Sequence, residues 1–498
     1  MSKIEKVNEL RKKIGDLASF LNETSPLSNA HTVDFITKER WKLLDPDLGK
    51  DLLDLPRDQL NAILGNDFVT SERRKKYPHL CQFLIRTRNF CSERLGICTD
   101  INWILPKFGT WQDSFESKAK NANWCVPEKK RHEVQNMASL ISALNDMFPV
   151  DLVVDAGSGK GYLSSYVACF LGLDALGIEA CEKKCCSAIL RHAKISEMLE
   201  RTEETRSNKK WKEFVSTTES INRTSDLEKI IQRTIINKDC CKISEETREG
   251  KDVTFNLALP ERLEEEKRKS VLLCGLHTCG NLSGTSIRQF VSCGSIKILC
   301  QVGCCYNLLT EEFCQEERAE GRNSETGFPL SSFLREAKFS LGRNARLLAS
   351  QCRERTLKNM DFHQPLFYRA LLQVALTDYL GPTCQNLEFR VGRMAKSCPS
   401  FKVYVYKALG KLNLREINID DDDVENYLQV YSAEEKKLKA FQLLRIILAS
   451  CIETLILLDR LLYLWEQDCV EEAYLTRLFD SLISPRCYAL IAIKKKAE

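Results

Sequence analysis

Val150-Asp151-Leu152-Val153-Val154-Asp155-Ala156-Gly157-Ser158-Gly159-Lys160-Gly161 is a short β-branched run that ends in an acid and a cluster of glycines. Tyr162 to Leu171 then follows a helical pattern, and Ala175-Leu176-Gly177-Ile178-Glu179 is a second short apolar run that again ends in an acid. Strand, glycine turn, helix, strand and acid in this order form a βαβ unit of about 30 residues. Glycines at alternate positions let the backbone turn tightly and approach a ligand without obstruction from Cβ.

The two acids decide what such a turn can hold. A dinucleotide fingerprint seats pyrophosphate on amides at a helix N-terminus, and a carboxylate at the strand end works against that. The spacing Gly-x-x-x-x-Gly-Lys-Ser/Thr of a P-loop is absent. Asp155 suits the cationic amino group of an amino-acid-like ligand. Glu179, about 20 residues past the turn, suits the two hydroxyls of a ribose. Together they describe a pocket for S-adenosyl-L-methionine, with Asp155, Gly157, Ser158, Gly159, Lys160, Gly161, Glu179, Ala180, Leu276 and His277 as its expected lining. A tight β-α turn with no ligand is the plain alternative.

Working outward, the first 125 residues follow a helical period: Ile4, Val7, Leu10, Ile14, Leu17 and Leu21 recur at steps of three and four. Residues 1–125 are therefore expected to form an α-helical N-terminal domain. Residues 126–315 are expected to form a Rossmann-like core, with a polar insertion near 200–265. Val271 to Leu276 and Ile296 to Val302 supply further buried strands. Residues 316–480 read as mostly helical, and 481–498 as a final strand of the core sheet, Cys487 to Ile493, followed by a basic tail. The fold class is α/β. Ile446 to Leu458 is only about 13 residues long against the roughly 20 needed to span a bilayer, and it contains Glu453, so a core helix is expected and no membrane anchor.

The chain has 498 residues, 43% of them hydrophobic, which excludes disorder and low-complexity classes. A net charge of +4 does not by itself imply a nucleic-acid partner. The runs Arg73 to Lys76, Lys129 to His132 and Lys494 to Lys496 are short, but gathered on one face they can track phosphates. The 23 cysteines come without an apolar leader, which fits reduced thiols in the cytoplasm, the nucleus or both. The sequence sets no oligomeric state.

His277, Cys279 and Asn281 follow the strand Val271 to Leu276, so they belong at its carboxyl end, where ligands of doubly wound sheets bind. His277 is the candidate base and Asn281 the candidate for orienting an amine or amide acceptor. Tyr306 is a candidate to stack on a planar substrate, and Cys279 a candidate nucleophile for pyrimidine methylation. His277, Cys279, Cys304 and Cys305 are all metal-ligand types, but adjacent cysteines rarely share one ion, so no metal is expected. Small thiols packed behind the pocket are the plain alternative.

Asp155 to Ser164, Gly275-Leu276-His277-Thr278-Cys279-Gly280-Asn281-Leu282 and Val302-Gly303-Cys304-Cys305-Tyr306 resemble the class I methyltransferase domain of the methyltransferase-like protein 25 family. Lys129 to Val134, Gly342 to Arg346 and Leu366 to Ala370 fit the same family. One of its members is named for a ribosomal RNA adenine dimethylase domain. The resemblance covers roughly residues 125 to 375 and the final strand. It implies an S-adenosylmethionine-dependent methyltransferase with RNA as the favoured substrate and a protein side chain as the alternative. The family usually has Asp where this chain has Asn281, which raises a further alternative: a cofactor-binding pseudoenzyme that serves as a scaffold.

Overall fold

The computed structural model describes residues 2–110, 126–200, 214–222, 226–236, 270–315, 325–358, 363–381, 391–392, 394, 398–414, 416–417 and 419–496. By internal contact the chain divides into two compact units. One comprises Met1–Arg11, Cys98–Ser340 and Leu457–Glu498; the other comprises Lys12–Ile97 and Leu341–Ile456.

The first unit is built on a seven-stranded sheet: β1 (Leu152–Ala156), β2 (Ala175–Glu179), β3 (Phe214–Thr218), β4 (Val271–Cys279), β5 (Ile296–Cys304), β6 (Val470–Arg477) and β7 (Tyr488–Lys494), in the spatial order β3-β2-β1-β4-β5-β7-β6. β1 through β5 pair in parallel, and β7 runs antiparallel to both β5 and β6. All five residues of β1 and of β2 are buried, because helices cover both faces of a parallel sheet and each strand becomes a continuous apolar run. The chain moves from β1 outward to β2 and β3, then returns to place β4 on the other side of β1. That reversal opens a crevice at the carboxyl ends of β1 and β4, where doubly wound sheets bind ligands. The helix Glu128–Met147 precedes β1 and packs Val134, Met137, Leu140, Ile141 and Leu144 into the same core as Val153, Leu272, Ile298 and Ile491.

The α/β class and the final strand match expectation, with β7 beginning one residue later than the expected Cys487. Two strands were not anticipated. The stretch 200–265, expected as a polar insertion, contains β3; the rest of that stretch lies largely outside the described residues. The region 316–480, expected as mostly helical, contains β6. Both are edge strands with one neighbouring strand each in the sheet, although a single bridge from Cys98 also reaches Leu475 of β6. Phe214-Val215-Ser216-Thr217-Thr218 and Val470-Glu471-Glu472-Ala473 therefore carry a diluted apolar pattern, because an edge strand leaves part of its surface to water.

The second unit is helical among its described residues. The expected separation of 1–125 from 316–480 is replaced by joint packing of Lys12–Ile97 and Leu341–Ile456. The Asn29 amide donates to Leu341 O at 2.8 Å and accepts from the Ala345 N–H at 3.1 Å, and the rings of Phe35 and Phe441 meet edge-to-face at 5.2 Å. Segments far apart in sequence close one core because each has a single apolar stripe to bury. The helix Ser432–Trp465 is long and apolar enough to cross a membrane, and 94% of its most apolar window is buried within the protein.

Candidate active site

The glycine turn is pinned to β2 before any ligand is considered. The Gly157 and Ser158 amides donate to Ile178 O at 2.9 and 3.1 Å. Gly159 and Gly161 both adopt left-handed backbone, φ 58° and 67°, a conformation that L side chains adopt only with strain. Their surroundings differ. A Cβ on Gly161 would lie 2.6 Å from Ala188 Cβ, so Gly161 lets the turn pack on the helix Glu182–Glu200. A Cβ on Gly159 would meet nothing within 4 Å, so this backbone faces open space. The Ser158 hydroxyl beside it is buried and has no hydrogen-bond partner among the described residues.

Two carboxylates flank this turn. Asp155, the penultimate residue of β1, has 3% of its surface exposed, and its Oδ2 accepts from the Ser164 hydroxyl at 2.8 Å. Burial pushes its carboxyl up to about 6, against the lowering pull of Ser164, Lys130 and His277. Glu179 ends β2 and accepts the Gly159 amide at 3.0 Å on Oε2, and the Cys181 amide at 3.2 Å and Lys184 Nζ at 3.1 Å on Oε1. Lys160 and Ala180, next to these groups, are exposed, whereas Leu276 is buried.

β4 approaches from the other side of β1 through a bulge. Gly275 pairs with Gln301 but Thr278 pairs with Gly303, so β4 carries one extra residue between the two pairs. Bulges re-aim side chains, and here the bulged residues include His277. Its Nε2 lies 3.1 Å from Glu133 Oε2. Glu133 is fully buried on the helix Glu128–Met147; its Oε1 accepts from the Ser484 hydroxyl at 2.8 Å, and Lys130 Nζ stands 3.0 Å from Oε2. Burial alone would raise the Glu133 carboxyl. The His277 hydrogen bond and charge, then Lys130 and Ser484, outweigh it and hold the group well below the usual carboxylate range. The other ring nitrogen, Nδ1, makes no hydrogen bond among the described residues, and an imidazole that donates from Nε2 to an acid keeps its lone pair on Nδ1. Chemically, an imidazole with one nitrogen beside an acid and the other open can serve as a base.

A methyltransferase-domain family model matches residues 129–312, a span that contains Glu133, Asp155, Glu179 and His277. The chain is also 30% identical to the probable methyltransferase-like protein 25 of Homo sapiens over 98% of its length and 97% of that protein's. The Mus musculus protein of the same name matches with the same identity and coverage. The chain belongs to the methyltransferase-like protein 25 family. Methyl transfer is the reaction class that membership carries. No solved structure gives a significant match.

Within this methyltransferase domain the remaining candidates take different places. The Asn281 amide is fully engaged: Nδ2 donates to Thr310 Oγ1 at 2.8 Å and to Glu325 O at 2.7 Å, and Oδ1 accepts the Thr310 amide at 2.9 Å. It fastens the segment after β5 rather than presenting a free group to an acceptor. Tyr306, expected to stack on a planar substrate, is instead buried at 1% exposure with the Arg460 and Arg486 guanidinium groups 5.7 and 5.6 Å from its ring centre. Its apolar ring after a strand is absorbed by the core. Cys279 is exposed, with its Sγ 3.1 Å from Cys304 Sγ. Hydrogen bonds from Cys304 and Cys305, with His277 and Lys184 nearby, bring its thiol down to about 6 despite burial of its surroundings, while Cys304 is driven upward.

Glu133, the neighbour of His277, is not among the residues that the sequence singles out. Its signal was present: an acid in register with Met137, Leu140, Ile141 and Leu144 on a buried helical face needs a partner. The basic runs are partly spent locally. Lys129 and Lys130 stand 3.6 and 3.0 Å from Glu133, Lys494 donates to Cys293 O at 2.7 Å, and the Arg73 guanidinium lies over the Phe68 ring at 4.4 Å.

Proposed function

We propose that this chain is an S-adenosylmethionine-dependent methyltransferase whose acceptor is RNA. The observation that carries the donor assignment is the open backbone at Gly159 between two buried acids, Asp155 at the end of β1 and Glu179 at the end of β2. The residues fit the group chemically. The carboxylate of Asp155 suits an ammonium, the unpartnered Ser158 hydroxyl can accept or donate, and the oxygens of Glu179 suit vicinal hydroxyls once they exchange the Gly159 and Lys184 contacts. Two acids at the same strand ends repel a pyrophosphate, which weighs against a dinucleotide. When bound, S-adenosylmethionine supplies an electrophilic methyl on a sulfonium.

On the acceptor side His277 Nδ1 takes the proton of the attacking nitrogen or oxygen, and Glu133 fixes the imidazole and stabilises its charged form. RNA is favoured through the family resemblance, with support from the exposed Lys160 and Lys183 that follow the carboxyl ends of β1 and β2.

The test is incubation of the full-length protein with methyl-labelled donor and lysate from cells lacking it. Label released by nuclease supports the RNA reading, and label released by protease replaces it with a protein acceptor. Cofactor binding with no transfer into any fraction favours a scaffold.

A further inference from the structure

We propose that Cys279, Cys304 and Cys305 form a three-thiolate site for one zinc ion at the carboxyl edge of β4 and β5. The ligand atoms of these three residues all lie within 4.8 Å of one another. Cys279 and Cys304 are register partners on parallel neighbours, with their sulfurs 3.1 Å apart, and Cys304 and Cys305 sulfurs are 3.6 Å apart. A disulfide needs about 2.05 Å, whereas a tetrahedral ion with Zn–S of about 2.3 Å sets its sulfurs roughly 3.8 Å apart. The cluster is therefore already near the spacing that zinc demands.

Successive side chains of a strand point to opposite faces, so adjacent cysteines do not ordinarily converge. Cys305 breaks that rule: it adopts left-handed backbone at φ 49°, directly after β5 and before the turn Tyr306–Leu308. Non-glycine residues adopt this conformation only with strain, and such strain concentrates at functional sites. Here it brings the Cys305 thiol beside the Cys304 thiol, which removes the usual objection to vicinal ligands. The Gly280 amide, donating to Cys304 O at 3.2 Å, ties the two strand ends together.

Burial suits the role as well. Cys304 is buried, Cys305 half-buried and Cys279 exposed, so an ion reaches the site from solvent. Three protein ligands leave a fourth position for water or a substrate donor atom, the coordination pattern of catalytic rather than structural zinc. Soft thiolates select zinc over magnesium or calcium.

The experiment uses the full-length protein, reduced and stripped of metal, with no methyl donor present, so its outcome is independent of the donor reading. Zinc is titrated in competition with a chromophoric chelator, and cobalt(II) serves as spectroscopic reporter. The expected result is one tight equivalent of zinc and a cobalt spectrum with thiolate charge-transfer bands and tetrahedral d–d bands. Cys279→Ser, at an exposed position, is expected to weaken binding at least tenfold with an unchanged melting profile, and Cys186→Ser, exposed elsewhere, to change neither. Three results would overturn the site: no tight zinc, a cobalt spectrum without thiolate bands, or full affinity in Cys279→Ser. A Cys279–Cys304 disulfide found by peptide mapping of the unreduced protein, with no zinc binding after reduction, would also overturn it.

Discussion

The imidazole Nε2 of His277, on the bulge of β4, stands 3.1 Å from the buried carboxylate of Glu133 on a helix that precedes the sheet. If this pair is the base and its orienter, His277→Ala loses about 10² to 10⁴ in turnover while donor affinity changes little. Glu133→Gln, which preserves shape but not charge, lowers turnover in the same range. Single-turnover transfer of labelled methyl, with donor affinity measured separately, checks both. Unchanged turnover in His277→Ala removes the residue from the mechanism.

Restoring the family's acid at Asn281 is expected to harm the protein. Asp cannot donate to Glu325 O or to Thr310, so Asn281→Asp leaves a carbonyl facing a carboxylate, at about 1–3 kcal/mol. The position opens the helix Asn281–Ser292, where an acid gains about 0.3–1 kcal/mol from the helix dipole, too little to offset the loss. Denaturant unfolding should show a net destabilisation, and turnover should not rise.

The two glycines of the turn separate ligand binding from folding. Gly161→Ala combines left-handed strain with a 2.6 Å clash against Ala188 and should cost about 2–4 kcal/mol of stability. Gly159→Ala meets no atom of the protein and should cost about 1–2 kcal/mol, yet it should weaken donor binding about tenfold or more, because its methyl fills ligand space. Thermal melts and calorimetry on both variants test the contrast.

Removal of residues 487–498 should give insoluble protein or protein that binds no donor. β7 lies between β5 and β6, and Ala489, Leu490, Ile491, Ala492 and Ile493 are all buried. Each buried Leu or Ile contributes about 1.5–3 kcal/mol against a typical net stability of about 5–15 kcal/mol. A soluble truncation with full donor affinity would contradict this account of the sheet.

Central elements were legible in the sequence where both faces are buried and the pattern is continuous. β1, its glycine turn, β2, β4, β5 and β7 all announce themselves as short apolar runs. β3 and β6 did not, because an edge strand has one neighbour and a mixed surface. In the site, Asp155, Glu179 and His277 were readable because each lies at the carboxyl end of an apolar run. Glu133 was not singled out, since its partner is chosen by how the preceding helix packs on β4. The convergence of Cys304 and Cys305 was hidden for another reason: left-handed backbone at a non-glycine residue leaves no compositional mark.

The central claim concerns Asp155, whose carboxyl burial raises to about 6. Because that pKa exceeds the unfolded value, this group's contribution to the stability of the free protein falls as pH rises from about 4 through about 6. A bound ammonium favours the ionised form, so binding below about pH 6 releases a proton. Calorimetry of the full-length chain with S-adenosylmethionine across this range is therefore the most direct test. The account predicts a single site whose affinity is level near neutral pH and falls by up to about tenfold per unit below about pH 6. Asp155→Asn should lose that slope, together with about ten- to a hundredfold in affinity at neutral pH. No binding by the folded parent protein, or the same affinity and the same slope in Asp155→Asn, would contradict it.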